Sequence, residues 1–401
     1  MPGLHAKGLP LKLLSGKCDE SFLRTHLETA DAAAYRAAWT NEQSLTPAQT
    51  AASLAIEHGE PCGIRQFGVG DSSGRPWRVV ARAMSEADLT ADKAQCLRVR
   101  ADEVWVPTAW HVDRFVAAGV PRSRIRVIPE PVDTEFFSPS HLLPPAPTSL
   151  PASLLGSARP FTFFSVFKWE LRKGWDLLLH AYWTEFGAPS IRPTRGVKLV
   201  LKTYLPSWEP GPALPQQLER FARRYFGTPL SSLPPVELVE ADVSRAGLRA
   251  LYAKSDAFVL PTRGEGWGLP IAEAMAMGLP AIATNFSGPS AFLTAQNAHP
   301  LRVATHLSDG SAEPSVADLR AAMRVCVQEA GTEAGKKRAE QARTDVQTKF
   351  SRAAVADLVL ERLETLAARW RRRHKAAGTA AGGGKDEVRA RVLEEGRRHE
   401  L

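Results

Sequence analysis

Two glutamates flank a glycine-rich loop in the stretch DAFVLPTRGEGWGLPIAEAMAMGLPAIATNFSGPS, residues 256–290. Glu265 lies in the loop, and Glu273 follows eight positions later in the first turn of a predicted helix. A carboxylate at either place can accept hydrogen bonds from hydroxyl groups. Gly266 and Gly268 leave backbone N–H groups uncovered beside the positive end of that helix. The sequence therefore predicts that the loop binds an anion such as a phosphate or a diphosphate.

Phosphate donors beside hydroxyl acceptors form the combination that a nucleotide sugar requires. The simpler alternative is an ordinary loop of a parallel sheet, in which Glu273 only adds negative charge at the start of a helix. The glycines alone do not separate these two interpretations.

The elements that position this loop alternate between strand and helix. The apolar runs Ala257–Leu260 and 280–284 predict buried strands, and Pro270 suits the first turn of the helix between them, which Gly278 ends. Further strands are predicted at 77–83, 103–107, 125–128, 161–166, 197–202 and 236–239, and helices at 30–39, 47–58, 91–99, 110–118, 175–186 and from 352 onward. Such alternation predicts doubly wound parallel sheets, whose ligands bind beyond the carboxyl ends of the strands, where Glu265 falls.

The motif EGWGLPIAE resembles the Glu-x7-Glu signature of retaining GT-B glycosyltransferases of family 4, whose shared domain is called glycosyl transferases group 1. The similarity continues in SGP at 287–289, SVFKWELRKGWDLLLHAY at 165–182, DEVWVPT at 102–108 and RIRVIPEPVDTEFF at 124–137. The resemblance implies an α/β protein with two doubly wound Rossmann-like domains facing a cleft. It also implies transfer of a sugar from a nucleotide-sugar donor, with retention of configuration, to a glycan, lipid or protein acceptor.

Such a transfer leaves negative charge on the departing diphosphate, which a metal ion or basic side chains must stabilise. The chain has no Asp-x-Asp pair, the motif usual in metal-dependent transferases, so we expect basic side chains to act without a metal or another cofactor. The resemblance assigns this role to Lys168 and Lys173, although Lys168 stands where the family more often has arginine. Arg172 offers a compensating guanidinium. The alternative is that this cluster is only a solvated strand end.

The resemblance also implies which residues contact the rest of the donor. Glu273 is expected to bind the ribose, and Glu265 the transferred sugar. The backbone N–H groups of Gly266, Trp267 and Gly268 are expected to donate to the phosphates. Asp242 and Val243, which precede a later helix, are expected to lie near the nucleobase.

The first part of the chain departs from the family. There the N-terminal domain opens with a strand and a glycine-rich loop, and neither is found before residue 40, so this domain is expected to be incomplete. The family also places a catalytic His or Asp in this domain. His58 and His111 lie in no matching motif, and Glu86 matches an acidic family position only weakly. The predicted division is an N-terminal domain at 1–139, a linker at 140–160, a donor-binding domain at 161–350, a helix at 351–375 and a disordered tail at 376–401.

The composition is that of a soluble globular protein, with 44% hydrophobic and 23% charged residues. The cysteines Cys18, Cys62, Cys96 and Cys326 form no Cys-x-x-Cys pair, so we expect reduced, buried thiols and a cytoplasmic location. No apolar run is long enough to span a membrane. The formal net charge of +8 includes a basic run at 369–375, which is either a solvated face or a contact for phospholipid or nucleic acid.

Two other function classes stay open at this point. One is a binding or scaffold protein that keeps the nucleotide-sugar pocket without turnover. The other is a nucleic-acid binder acting through the basic run, which would show steep salt dependence but has no recognisable motif. Because the donor-binding features lie in the second domain, the chain is expected to bind a nucleotide sugar and to transfer it poorly.

Overall fold

The computed structural model describes residues 13–14, 39–40, 53–65, 75–139, 159–187 and 196–378. Most of the predicted helix at 30–39, nearly all of the predicted linker and the tail beyond residue 378 lie outside these ranges. The chain divides into two compact units, residues 45–351 and residues 1–44 with 352–401. The smaller unit contains two short strands that pair in parallel, β1 (Leu13–Leu14) and β2 (Trp39–Thr40).

The larger unit begins with a sheet of four parallel strands in the order β3–β4–β5–β6. Its elements are β3 (Leu54–His58), β4 (Arg78–Arg82), α1 (Ala91–Arg100), β5 (Glu103–Val106), α2 (Ala109–Ala117) and β6 (Ile125–Val127). The apolar residues of β4 and β5 are buried, and Leu97 of α1 and Phe115 of α2 pack into the same core. Strand and helix alternate here as the sequence predicts.

The structure corrects one element of this sheet. Residues 54–58, in the second half of the helix predicted at 47–58, form β3, while 47–52 lie outside the described residues. The strand pairs with β4 in a continuous register from Leu54 opposite Arg78 to His58 opposite Arg82. Alanine content favours a helix, but pairing along the edge of a sheet outweighs this weak local preference.

The structure also corrects the expected state of two cysteines. Cys62 and Cys96 form a disulfide with their Cα atoms 5.1 Å apart, joining the 3-10 turn Pro61–Gly63 after β3 to α1. The expectation of reduced thiols is therefore wrong for this pair, and the predicted cytoplasmic location loses the support that it drew from them. Cys326 is a buried free thiol, as expected, and burial raises its pKa. Cys18 lies outside the described residues.

The second sheet of the larger unit has six parallel strands in the order β12–β11–β10–β7–β8–β9. Its elements and those that follow are β7 (Phe161–Lys168), α3 (Trp175–Phe186), β8 (Val197–Tyr204), α4 (Leu214–Phe226), β9 (Val236–Val239), α5 (Arg245–Ala253), β10 (Ala257–Leu260), α6 (Leu269–Ala276), β11 (Ala281–Thr284), β12 (His299–Leu301), β13 (Val303–His306), β14 (Ala312–Pro314), α7 (Val316–Glu329) and α8 (Glu333–Phe350). Every residue of β10 and β11 is buried, which explains their unbroken apolar sequences. The predicted α/β class with parallel sheets is confirmed.

The smaller unit contains the long helix α9 (Arg352–Gly378), which begins after Ser351 as predicted. Its Val355, Val359 and Leu366 are buried. None of the helices in the described part of the chain is both long and apolar enough to cross a membrane.

Removing the disulfide should destabilise the larger unit. Cys62 and Cys96 are separated by 34 positions, and the chain-entropy model gives about 4 kcal/mol for a loop of this size. Cys62→Ser, Cys96→Ser and the double variant should therefore lose similar stability, because all three lack the same bond. Denaturant unfolding measures the losses, and a reductant should reproduce them in the unsubstituted protein. Additive losses in the double variant, or no linked peptide in a non-reducing digest, would contradict the pairing.

Candidate functional site

Lys168, Lys173 and the glycine loop, all selected from the sequence, lie at the carboxyl ends of neighbouring strands in the second sheet. Lys168 ends β7, which pairs with β8 on one side and β10 on the other. The glycine loop, residues 261–268, follows β10 directly. This edge is where parallel sheets bind their ligands.

An ion pair joins the loops that follow β7 and β10. The Nζ atom of Lys173 donates to both carboxylate oxygens of Glu265, at 2.7 and 2.9 Å. The two side chains are 15% and 8% exposed. Beside Lys173, Gly174 adopts φ +73°, and a Cβ atom on it would lie 1.9 Å from the carbonyl oxygen of Pro261. The loops are therefore pressed together at a position that only glycine can occupy.

Arg172 connects the same two loops. Its Nη1 donates to the carbonyl oxygen of Gly264 at 2.7 Å, and its Nη2 donates to Glu170 at 3.2 Å. Its backbone carbonyl accepts a hydrogen bond from the N–H of Arg263 at 2.7 Å. The guanidinium also lies 3.8 Å from the carboxylate of Glu86, which comes from the loop after β4. Much of the hydrogen-bonding capacity of Arg172 is thus used within the protein.

The glycine loop holds buried N–H groups that donate to no residue in the described part of the chain. They belong to Gly266, Trp267 and Gly268, the last of which caps α6 at φ +96°. A buried backbone donor without an acceptor is unfavourable, so these groups mark a place where a ligand can complete the bonding. The side chain of Trp267 packs against Phe292 and Phe350, with its ring centre 5.1 Å from each of their ring centres.

Glu273 is the fifth residue of α6, so the prediction that it lies in the first turn of the helix is wrong. A tyrosine holds its carboxylate. The hydroxyl of Tyr252 lies 3.0 Å from Glu273 Oε2 and 3.1 Å from the carbonyl oxygen of Pro270, and its single proton donates to one of these acceptors at a time. Burial raises the pKa of Glu273 to about 7, against the lowering effects of the Tyr252 hydrogen bond and of the Arg245 charge. The nearby carboxylate of Asp133, which forms an ion pair with Arg245, also raises this pKa. Glu273 therefore changes its charge near neutral pH.

A cavity of about 440 Å³ opens beside these loops. Its lining consists of Glu86, Val166, Phe167, Lys168, Arg172, Lys173, Lys202, Tyr204 and Pro270. The ammonium of Lys168 lies 5.0 Å from the ring centre of Trp208, whose indole N–H donates to Glu170. Cations thus outnumber carboxylates on the walls of the cavity.

Two residues of this site are not predicted from the sequence. Lys202 ends a predicted strand, although a lysine in the apolar run VKLVLKTY is itself a signal of a ligand-binding role. Tyr252 carried no signal, because its partner Glu273 lies on another helix. By contrast, Asp242 is exposed and Val243 half-buried between β9 and α5, and neither lines the cavity.

The candidates from the first sheet lie in different surroundings. His58 is exposed at the end of β3. His111 is buried, with Nδ1 2.8 Å from the Thr108 hydroxyl and Nε2 2.9 Å from the Ser85 carbonyl oxygen, and burial lowers its pKa to about 4. His111 therefore supports the loop that carries Glu86, and among these three candidates only Glu86 lines the cavity. No group of three or more His, Cys, Asp or Glu side chains suited to a metal occurs among the described residues.

Known proteins share this fold. Residues 160–313 match the family model Glycosyl transferases group 1. A glycosyltransferase from Rickettsia africae is 16% identical with a TM-score of 0.55, over 77% of this chain and 75% of that one. HepE from Anabaena, in complex with UDP and glucose, is 17% identical with a TM-score of 0.53, over 72% and 71%. Sucrose-phosphate synthase from Thermosynechococcus elongatus is 19% identical with a TM-score of 0.55, over 73% and 69%. These likenesses show the predicted GT-B fold, and no curated protein matches the chain.

The raised pKa of Glu273 predicts a pH-dependent stability. Its ordinary pKa is 4.5 and its folded value about 7, so between these values the folded protein holds a proton that the unfolded chain has lost. The free energy of unfolding should therefore fall as pH rises through this window, on the order of 3 kcal/mol in total. Glu273→Gln should remove this component, whereas Glu209→Gln, at an exposed position, should keep it. Denaturant unfolding from pH 4.5 to 8 measures the slope, and equal slopes in both variants would contradict the assignment.

Proposed function

We propose that the protein transfers a sugar from a nucleotide-sugar donor, with retention of configuration and without a metal, because residues 160–313 match the family model Glycosyl transferases group 1. The observation that carries this proposal is the meeting of two chemistries at one sheet edge. Acceptor-free N–H groups and a cation-lined cavity suit a diphosphate. The carboxylate of Glu273, in the middle of α6, suits the hydroxyls of a ribose.

The proposed mechanism stabilises charge on the leaving group. When the bond between the anomeric carbon and the diphosphate oxygen breaks, the diphosphate gains negative charge. Lys168 and Lys173 neutralise that charge, and the N–H groups of Gly266 and Gly268 donate to it. Glu265 contacts the transferred sugar and holds the ammonium of Lys173 in place through both carboxylate oxygens. The cation is therefore oriented before the donor arrives, and less reorganisation accompanies the reaction.

Further residues position the donor in this proposal. Glu273 accepts hydrogen bonds from the ribose, and Asp242 and Val243 lie beside the nucleobase. The latter pair precedes α5, the helix whose Tyr252 anchors Glu273, so base and ribose contacts converge on one pair of helices. Arg172 and the backbone of Trp267 add a guanidinium and an N–H group at the phosphates.

The competing proposal is a protein that binds the donor without turnover. The support for this proposal is that both ring nitrogens of His111 already contact residues of the loops after β4 and β5. Among the first-sheet candidates, only Glu86 is then left at the cavity, and its carboxylate is shared with Arg172. The acceptor is a glycan, a lipid or a protein in either case, and a cytoplasmic location remains a prediction.

Donor cleavage should survive the removal of metal ions. The protein is incubated with a panel of nucleotide sugars, beginning with UDP-sugars because HepE has been solved with UDP-glucose, and release of the nucleoside diphosphate is followed with and without EDTA. We expect the same rate in both cases, and a product with the anomeric configuration of the donor. Loss of release in EDTA that Mn²⁺ restores would contradict the basic-side-chain mechanism. Thermal stabilisation by a donor without any release would favour the binding protein.

A further inference from the structure

Lys202 is a buried lysine near the carboxyl end of β8. Lys202 as a whole is 8% exposed, and its side chain lines the cavity beside Lys168, Arg172 and Lys173. In the described part of the chain, no hydrogen bond or ion pair involves its ammonium. Its Nζ is not among the buried side-chain nitrogens without a partner, so the stem of the side chain is buried while the ammonium faces the cavity. Its place therefore indicates that an anion joins it from the cavity.

The neighbouring cations differ in how far the protein already neutralises them. Lys173 is held by both oxygens of Glu265, and Arg172 is paired with Glu170 at 3.2 Å. Lys168 contacts only the face of Trp208 among the described residues, and no carboxylate there pairs with it. Lys168 and Lys202 are thus the cavity cations left without an anionic partner within the described ranges.

The two uncompensated lysines come from adjacent strands. In the register of β7 and β8, Lys168 lies opposite Tyr204, and Lys202 lies opposite Val166, two positions earlier on β7. Residues two apart in a strand point to the same face, so the two ammonium groups approach one cavity from the same side. Two lysines held in this way match the charge of a diphosphate, whose oxygens spread over two phosphorus atoms.

We propose that Lys202 binds the diphosphate of the donor together with Lys168, and that this contact makes the affinity of the site depend on the number of phosphates in the ligand. The proposal rests on the proposed function and adds a residue of β8, outside the motifs that carry the family resemblance, to the phosphate contacts.

The experiment compares ligands that differ only in phosphate. Calorimetry measures the affinities of uridine, UMP, UDP and inorganic pyrophosphate for the unsubstituted protein and for Lys202→Gln. A matched control is Lys198→Gln, on the same strand and face, where the lysine is paired with Glu237 at 3.0 Å near the surface. We expect Lys202→Gln to weaken UDP and pyrophosphate roughly 10- to 100-fold, the value of a hydrogen bond to a charged group, and to leave uridine unchanged. Lys198→Gln should change none of the four.

The outcomes separate this proposal from the proposed function. If UDP binds equally well to Lys202→Gln and to the unsubstituted protein, the Lys202 contact is overturned while nucleotide binding stands. If pyrophosphate binds in a Lys202-dependent way but no nucleotide binds, the contact stands and the proposed function fails. The melting temperature of ligand-free Lys202→Gln should change little, because the ammonium faces the cavity and makes no hydrogen bond or ion pair with the described residues. A lower melting temperature with uridine and UDP weakened alike would show a structural role and overturn the proposal.

Discussion

The buried ion pair between Lys173 and Glu265 holds together the loops that form the site. One loop follows β7 and the other follows β10, and their contact also requires glycine at Gly174. Desolvating both charges is unfavourable, and the two short hydrogen bonds, together with the Arg172 guanidinium 3.9 Å from Glu265, offset it. A second close approach occurs at Gly264, where a Cβ atom would lie 2.0 Å from the carbonyl oxygen of Glu86. The glycine loop is thus constrained from both sides, by β7 and by the first sheet.

Within this arrangement, carboxylates of the protein pair with only some of the cations of the site. The protein uses carboxylates to fix Lys173 and Arg172, and it leaves Lys168, Lys202 and the loop N–H groups for a ligand. An anion that enters such a site meets cations and N–H donors that the fold already holds in place. The first sheet contributes differently. Its buried His111 stays neutral because burial lowers its pKa, and it fixes the loop that presents Glu86.

The sequence predicts the second sheet well because its signals are local. Apolar runs bounded by glycine and proline place β10, α6 and β11 within a residue or two, and the resemblance identifies the loop between them. What it misses depends on contacts between distant segments. The strand Leu54–His58 is set by its pairing with β4, and the Cys62–Cys96 bond by the approach of a turn to α1. The burial of Lys202 and the bond from Tyr252 to Glu273 are likewise properties of the packed sheet and helices.

We propose that Glu273 holds the ribose of a nucleotide whose phosphates lie at the glycine loop. Calorimetry at pH 8, where Glu273 is largely ionised given its pKa of about 7, tests this most directly. UDP and its 2′,3′-dideoxy counterpart are titrated into the unsubstituted protein and into Glu273→Ala. Because the ribose hydroxyls donate to Glu273, Glu273→Ala should weaken the binding of UDP by about 1 to 3 kcal/mol and leave the binding of the dideoxy nucleotide unchanged. Equal affinity of both proteins for UDP, or an equal loss for both nucleotides, would contradict it.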